Sequence, residues 1–166
     1  MKTAVRFDRK VSKHPFRYIF QCALAGIVTM VFLIFLDLLT YKGLVAALGA
    51  TTFLIFTMPH RVSCKPRYVV GGYVMGMLAG VICTLVFGGP NAPLPVSSLV
   101  ALGAISVGSA SLLMVSTNTE HPPAAGFALG LVLQPWDYEA VLYVLGCVCF
   151  LSFARYLLKR FMIDLL

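Results

Sequence analysis

The residues best equipped for chemistry in this chain are Thr117, Asn118, Thr119, Glu120 and His121, followed at once by Pro122, Pro123, Ala124, Ala125 and Gly126. Hydroxyls, an amide, a carboxylate and an imidazole crowd together between two apolar segments. A proline at the first turn of a helix wastes no donor, because the N–H there has no intrahelical partner. Pro122 drives His121 toward extended geometry, and Pro123 does the same to Pro122. The pair therefore predicts a helix that starts at Pro123. The N–H groups of Ala124, Ala125 and Gly126 then point back toward His121 and Thr119, and their partial positive charge favours an anion.

A second helix start repeats this arrangement without the proline pair. Arg67 opens it with a full positive charge, and Gly71 and Gly72 would let a small ligand reach the backbone. If the two starts face each other, Arg67, Gly71, Gly72, Thr119, His121, Pro122, Pro123, Ala124, Ala125 and Gly126 form one small anion-binding site. His121 titrates near neutral pH and could gate it or take up a proton. The plainer alternative makes Glu120 and His121 loop residues, with Glu120 capping the helix and Arg61, Lys65 and Arg67 serving only to orient the chain. Catalysis is not expected. Glu120 and His121 are adjacent and face apart, and no nucleophile motif, metal set or phosphate loop accompanies them, so no catalytic residue, metal or cofactor is assigned.

The elements that must position these residues follow from composition. Of 166 residues, 60% are hydrophobic and only 11% charged, against about 25% charged in soluble domains. Such a chain is an all-α integral membrane protein with the lipid bilayer as its surroundings. The net charge of +7 would suggest nucleic acid in a soluble protein. Here the basic residues sit at loop positions, where they orient the chain, and no nucleic-acid partner is expected. The five cysteines show no zinc-type spacing with histidine and predict neither disulfide nor metal site.

Residues 1–17 read as a basic interfacial arm, 18–158 as one helical membrane domain and 159–166 as a short tail. The domain holds about six hydrophobic runs: Tyr18 to Leu39 with Asp37 at its far end, Gly43 to Met58, Tyr68 to Gly88, Ser98 to Ser116, Ala124 to Leu133, and Tyr138 to Leu158. The second and fifth are short or broken. If all six cross, one side collects Lys2, Arg6, Arg9, Lys10, Lys13, Arg17, Arg61, Lys65, Arg67, Lys159 and Arg160, while the other has Lys42 alone. The positive-inside rule then places both termini in the cytoplasm of a cell inner membrane. A re-entrant fifth segment would send the basic C-terminal tail to the opposite side, so six crossings are preferred. Arg155 is expected to snorkel to the basic side and Trp136 to anchor the other interface.

A weak parallel repeat is also present. Gly49–Phe56 resembles Gly108–Val115, and Gly71–Leu78 resembles Ala125–Val132, which sets Arg67 opposite His121. Thr51, Thr52, Ser109 and Ser111 fall in the matched segments and either line a pathway or bond back to their own helices. Gly72, Gly76 and Gly80 recur every fourth residue, as do Gly126 and Gly130, giving bare stripes for close helix packing. With so few helices, a homo-oligomer, a dimer above all, is expected.

Two motifs carry a family resemblance. Glu120-His121-Pro122-Pro123-Ala124-Ala125-Gly126, after a Gly/Ser-rich membrane helix, resembles the signature of the HPP family of integral membrane proteins. Gly49-Ala50-Thr51 followed by Pro66-Arg67-Tyr68-Val69-Val70-Gly71-Gly72 resembles its second element. The resemblance runs from about Arg17 to Leu158. It implies transport, because plant plastid and cyanobacterial relatives are described as nitrite transporters. It also implies four spans, the number usually given for the family, against the six runs counted above. Lys65, Tyr68, Tyr73 and Phe127 depart from the pattern of the nitrite-transporting members. The expected function is a transporter or channel for a small inorganic anion such as nitrite. The alternative is a non-transporting structural or regulatory membrane partner protein.

Overall fold

The structure, a computed structural model, describes residues 15–35 and 41–165. The expected arm up to residue 14 and Asp37 lie outside the described residues. Among the described residues are six α-helices: α1 (Pro15–Phe35), α2 (Lys42–Thr57), α3 (Pro66–Val86), α4 (Val96–Thr117), α5 (Pro122–Leu133) and α6 (Tyr138–Leu158). A single 3-10 turn, Val62–Cys64, joins α2 to α3. The fold class is the all-α membrane bundle expected from composition, and the helices begin where proline can start them. Pro15, Pro66 and Pro122 stand at first positions, and Pro95 immediately precedes α4. Proline's fixed φ and missing donor suit those places. α5 accordingly starts at Pro122, one residue before the expected Pro123.

Helix length separates the bundle into two classes. α1, α3, α4 and α6 are long and apolar enough to cross a membrane. α2 has 16 residues and α5 has 12, or about 24 Å and 18 Å at 1.5 Å per residue, against a hydrocarbon core of about 30 Å. Four long helices and two short ones account for the six runs in the sequence.

The short helices still connect the same two loop layers as the long ones. At one side the Gly43 N–H donates to Gln134 Oε1 at 2.8 Å, and the Tyr41 hydroxyl donates to Asp137 Oδ2 at 2.6 Å. The start of α2 thus meets the end of α5. At the other side the His121 ring meets Ser63, in the turn after α2. α6 then leaves Asp137 and ends with Arg155 Nε donating to the Pro59 carbonyl at 2.7 Å. So α5 passes from one layer to the other and α6 brings the chain back. Arg61, Lys65, Arg67, Lys159 and Arg160 share one side, and Lys42 lies on the opposite one.

α5 occupies the centre, packed against α2, α3 and α4, while α1 leans on α2 from outside. In lipid no hydrophobic gain drives helices together, so close backbone approach must do it. The glycines of α3 supply this. A Cβ on Gly72 would lie 2.7 Å from His121 Cβ, and one on Gly80 would lie 2.9 Å from the Ala128 carbonyl oxygen. One on Gly76 would run into the Ala124 carbonyl. These contacts advance in step, so α3 and α5 run parallel, as the repeat requires. The repeat-matched rings of Tyr73 and Phe127 meet with centroids 5.1 Å apart. The stripe on α5 behaves differently: Gly130 packs on Gly43 of α2, and Gly126 faces open space.

Two side chains named above as anchors are buried. Trp136, in the segment after α5, packs its ring edge-on to Tyr138 and lines a cavity with residues of α3 and α6. Arg155 reaches the basic side as expected, but it is buried and bonded to backbone there instead of emerging into the headgroups.

Gly76→Val should therefore lower the thermal midpoint in detergent by roughly 3–10 °C, the range expected for overpacking in a domain of this size. Gly126→Val, where nothing stands in the way, should change it by less than about 2 °C. Equal effects of the two substitutions would contradict this packing.

Candidate functional site

His121 is fully buried below the basic side. It caps α5 in extended geometry, φ −137° and ψ 99°, as a residue preceding proline must. Because α5 is short, its start is recessed. Gly72, next to the His121 Cβ, lies six residues into α3, so the imidazole sits about 9 Å below the start of that helix.

The hydrogen bonds assign the state of the ring. Nδ1 is 2.9 Å from the Ser63 carbonyl oxygen, and a carbonyl can only accept, so Nδ1 carries the proton. Nε2 lies 3.1 Å from Thr51 Oγ1, which in turn is 2.8 Å from the Tyr73 hydroxyl. In a neutral ring Nε2 accepts from Thr51, and Thr51 accepts from Tyr73. One directed chain results: Tyr73 to Thr51 to His121 to the Ser63 carbonyl. Thr51 is also 3.0 Å from the Ala47 carbonyl, the alternative acceptor for its single proton. Burying an imidazolium away from water without a counter-charge is costly. The ring is therefore neutral at pH 7.

The other expected site residues divide into three groups. Gly71, Gly72, Thr119 and Ala124 gather around His121. Thr119 is buried over Gly71, its hydroxyl 2.8 Å from that of Thr117. The Ala124 N–H is already used, donating to the His121 carbonyl at 2.9 Å. Pro123 and Gly126 face the other way, into an apolar groove beside α2, with Ala125 half-buried. Pro122 and Arg67 are exposed. The Arg67 guanidinium donates to the Thr117 carbonyl at 3.3 Å, at the end of α4. The two helix starts therefore lie side by side and staggered rather than face to face. The physical reason is the shortness of α5, which sets its start deeper than that of α3. Glu120 is exposed, and no side chain caps α5.

Three residues of the His121 chain were not assigned to the site beforehand. Ser63 contributes a backbone carbonyl, which leaves no mark in a sequence. Thr51 stood among hydroxyls that could line a pathway. Thr52, Ser109 and Ser111 bond back to their own helices, whereas Thr51 also reaches Tyr73 and His121. Tyr73 was visible as a departure from the family pattern, and a tyrosine directly after the glycine pair of an apolar helix was the signal for it.

Above Ser63 the basic side opens into a vestibule of about 560 Å³, lined by His60, Arg61, Val62, Ser63, Tyr68, Glu120 and Asp164. Ser63 thus joins the vestibule to the buried imidazole.

The family described as HPP, transmembrane region, matches residues 11–162. The chain belongs to the HPP family. The match takes in all six helices of this HPP protein together with both motifs named above. No curated protein and no solved structure matches it. This HPP protein is a multi-pass membrane protein, and the histidine and two prolines of its signature form the recessed start of its central short helix.

Thr51→Val removes a partner from both His121 and Tyr73 and should cost about 1–3 kcal/mol of stability, with Thr51→Ser close to wild type.

Proposed function

We propose that this HPP protein carries a small inorganic anion across the membrane, with nitrite the candidate suggested by the family. The observation that supports this most is a buried ionisable side chain within the bundle, one residue removed from an open vestibule on the basic side. Ionisable groups kept inside a membrane protein are costly and usually functional. The vestibule would admit the anion past Arg61, and Arg67 at the surface would raise its local concentration.

His121 would then act as the gate. Protonated, it has a donor at Nε2, so Thr51 can no longer donate to it and the directed chain breaks. The imidazolium left in a low-dielectric site needs a counter-charge, which an anion supplies. Proton and anion together are neutral, which lowers the cost of passing the bundle's interior. The segments on the basic side are cytoplasmic in this reading, by the positive-inside rule, and the membrane is the cell inner membrane. Two copies associate, in a contact that cannot use the α3 glycines because α5 covers them.

Proteoliposome uptake of nitrite is the test. Uptake should be present in the wild type, rise as pH falls, and drop at least about tenfold in His121→Ala. No anion movement, or full flux in an Arg67→Ala and His121→Ala double variant, would overturn the proposal and leave the non-transporting partner protein as the reading. Native mass spectrometry of the same samples reads the dimer.

A further inference from the structure

The vestibule already contains a carboxylate, and the chain has arranged it there. Asp164 Oδ1 accepts from the His60 backbone N–H at 3.0 Å and lies 3.4 Å from the His60 imidazole Nδ1. The residues on either side of Asp164 are pinned. Ile163 N–H donates to Gln21 Oε1 at 3.1 Å, and its carbonyl accepts from Gln21 Nε2 at 2.9 Å. Leu165 N–H donates to the Thr57 carbonyl at 2.7 Å, and its carbonyl accepts from the Tyr18 hydroxyl at 2.8 Å. Gln21 is buried although it stands in an apolar membrane helix, and it is satisfied there by its two bonds to Ile163 and by a third, from Nε2 to the Phe56 carbonyl at 2.6 Å. With both neighbours fixed, Asp164 alone points outward, into the vestibule.

A backbone N–H and an imidazole converging on one carboxylate oxygen are the donors that a small oxyanion would use. Arg61 lines the same space and adds positive charge, while Glu120 lines it too and opposes an anion, so affinity should be modest. The contact is also easy to displace. The His60 and Asp164 side chains are 53% and 38% exposed, and pairs so exposed hold each other weakly.

We infer that His60 forms an oxyanion subsite at the mouth of the vestibule and that Asp164 is its built-in occupant, displaced when a small inorganic oxyanion binds. The inference rests on the transport reading only for the choice of nitrite. The hydrogen bond and the imidazole contact that define the subsite do not depend on transport.

The test is a titration of the full chain in nanodiscs with sodium nitrite, following the 15N signals of the His60 amide and imidazole. Sodium chloride at equal ionic strength separates binding from screening. The His60 signals should move saturably with nitrite. In Asp164→Ala the half-saturation point should fall roughly two- to fivefold, the range set by an exposed ion pair. Asp164→Asn, which keeps an acceptor but no charge, should lie between and serves if the Ala variant misfolds. Silent His60 signals, a response equal to that of chloride, or an unchanged half-saturation point in both variants would overturn the subsite. Uptake measured in parallel keeps the two readings apart. Nitrite binding at His60 without uptake sinks transport and leaves the subsite, and uptake with His60 silent does the reverse.

Discussion

An imidazole buried in a membrane bundle has to find both of its partners within the protein, because lipid offers none. His121 finds them in the Ser63 carbonyl and the Thr51 hydroxyl, and most of the local architecture follows from that need. Ser63 is available because α2 ends at Thr57 and the 3-10 turn brings the chain back under the bundle. Thr51 is available because α2 lies against α5. Gly72 has no side chain because the His121 Cβ occupies that place. The histidine is recessed because α5 is only 12 residues long, and Pro122 and Pro123 begin it without leaving a buried donor unpaired.

The same economy holds at the opposite end of the short helices. Gln134 accepts from the free N–H at the start of α2, and Asp137 both accepts from Tyr41 and caps α6 through the Ala140 N–H. Polar residues of the connecting segments thus satisfy helix ends that would otherwise sit unpaired near the hydrocarbon. On the basic side, Gln21 and Arg155 do the same for the segment after α6 and the loop after α2. The charge asymmetry, the two short helices and the buried polar contacts are therefore parts of one arrangement.

Much of this could be read from the chain alone. The apolar runs marked all six helices, since 20-residue hydrophobic stretches and prolines at their edges have few other uses in a membrane protein. The importance of His121-Pro122-Pro123 was equally visible. What could not be read was relative depth. Two helix starts with similar residues suggested a shared site, but only packing decides that one lies about 9 Å below the other. Backbone partners such as Ser63 and Pro59 carry no side-chain signal. The burial of Trp136 in the segment after α5 was not legible either. Gln21, a lone amide in an apolar helix, was a signal that went unread, and it holds the segment that presents Asp164.

The central claim is that His121 is neutral, protonated on Nδ1 and knit into the bundle by Ser63 and Thr51. Its most direct test is the 15N NMR spectrum of the His121 imidazole at pH 7, in protein labelled at histidine and reconstituted in lipid. The account predicts a protonated Nδ1 and a bare, hydrogen-bonded Nε2, with the Nε2 signal shifting in Thr51→Val. An imidazolium at pH 7, or a proton on Nε2 with Nδ1 bare, would contradict it.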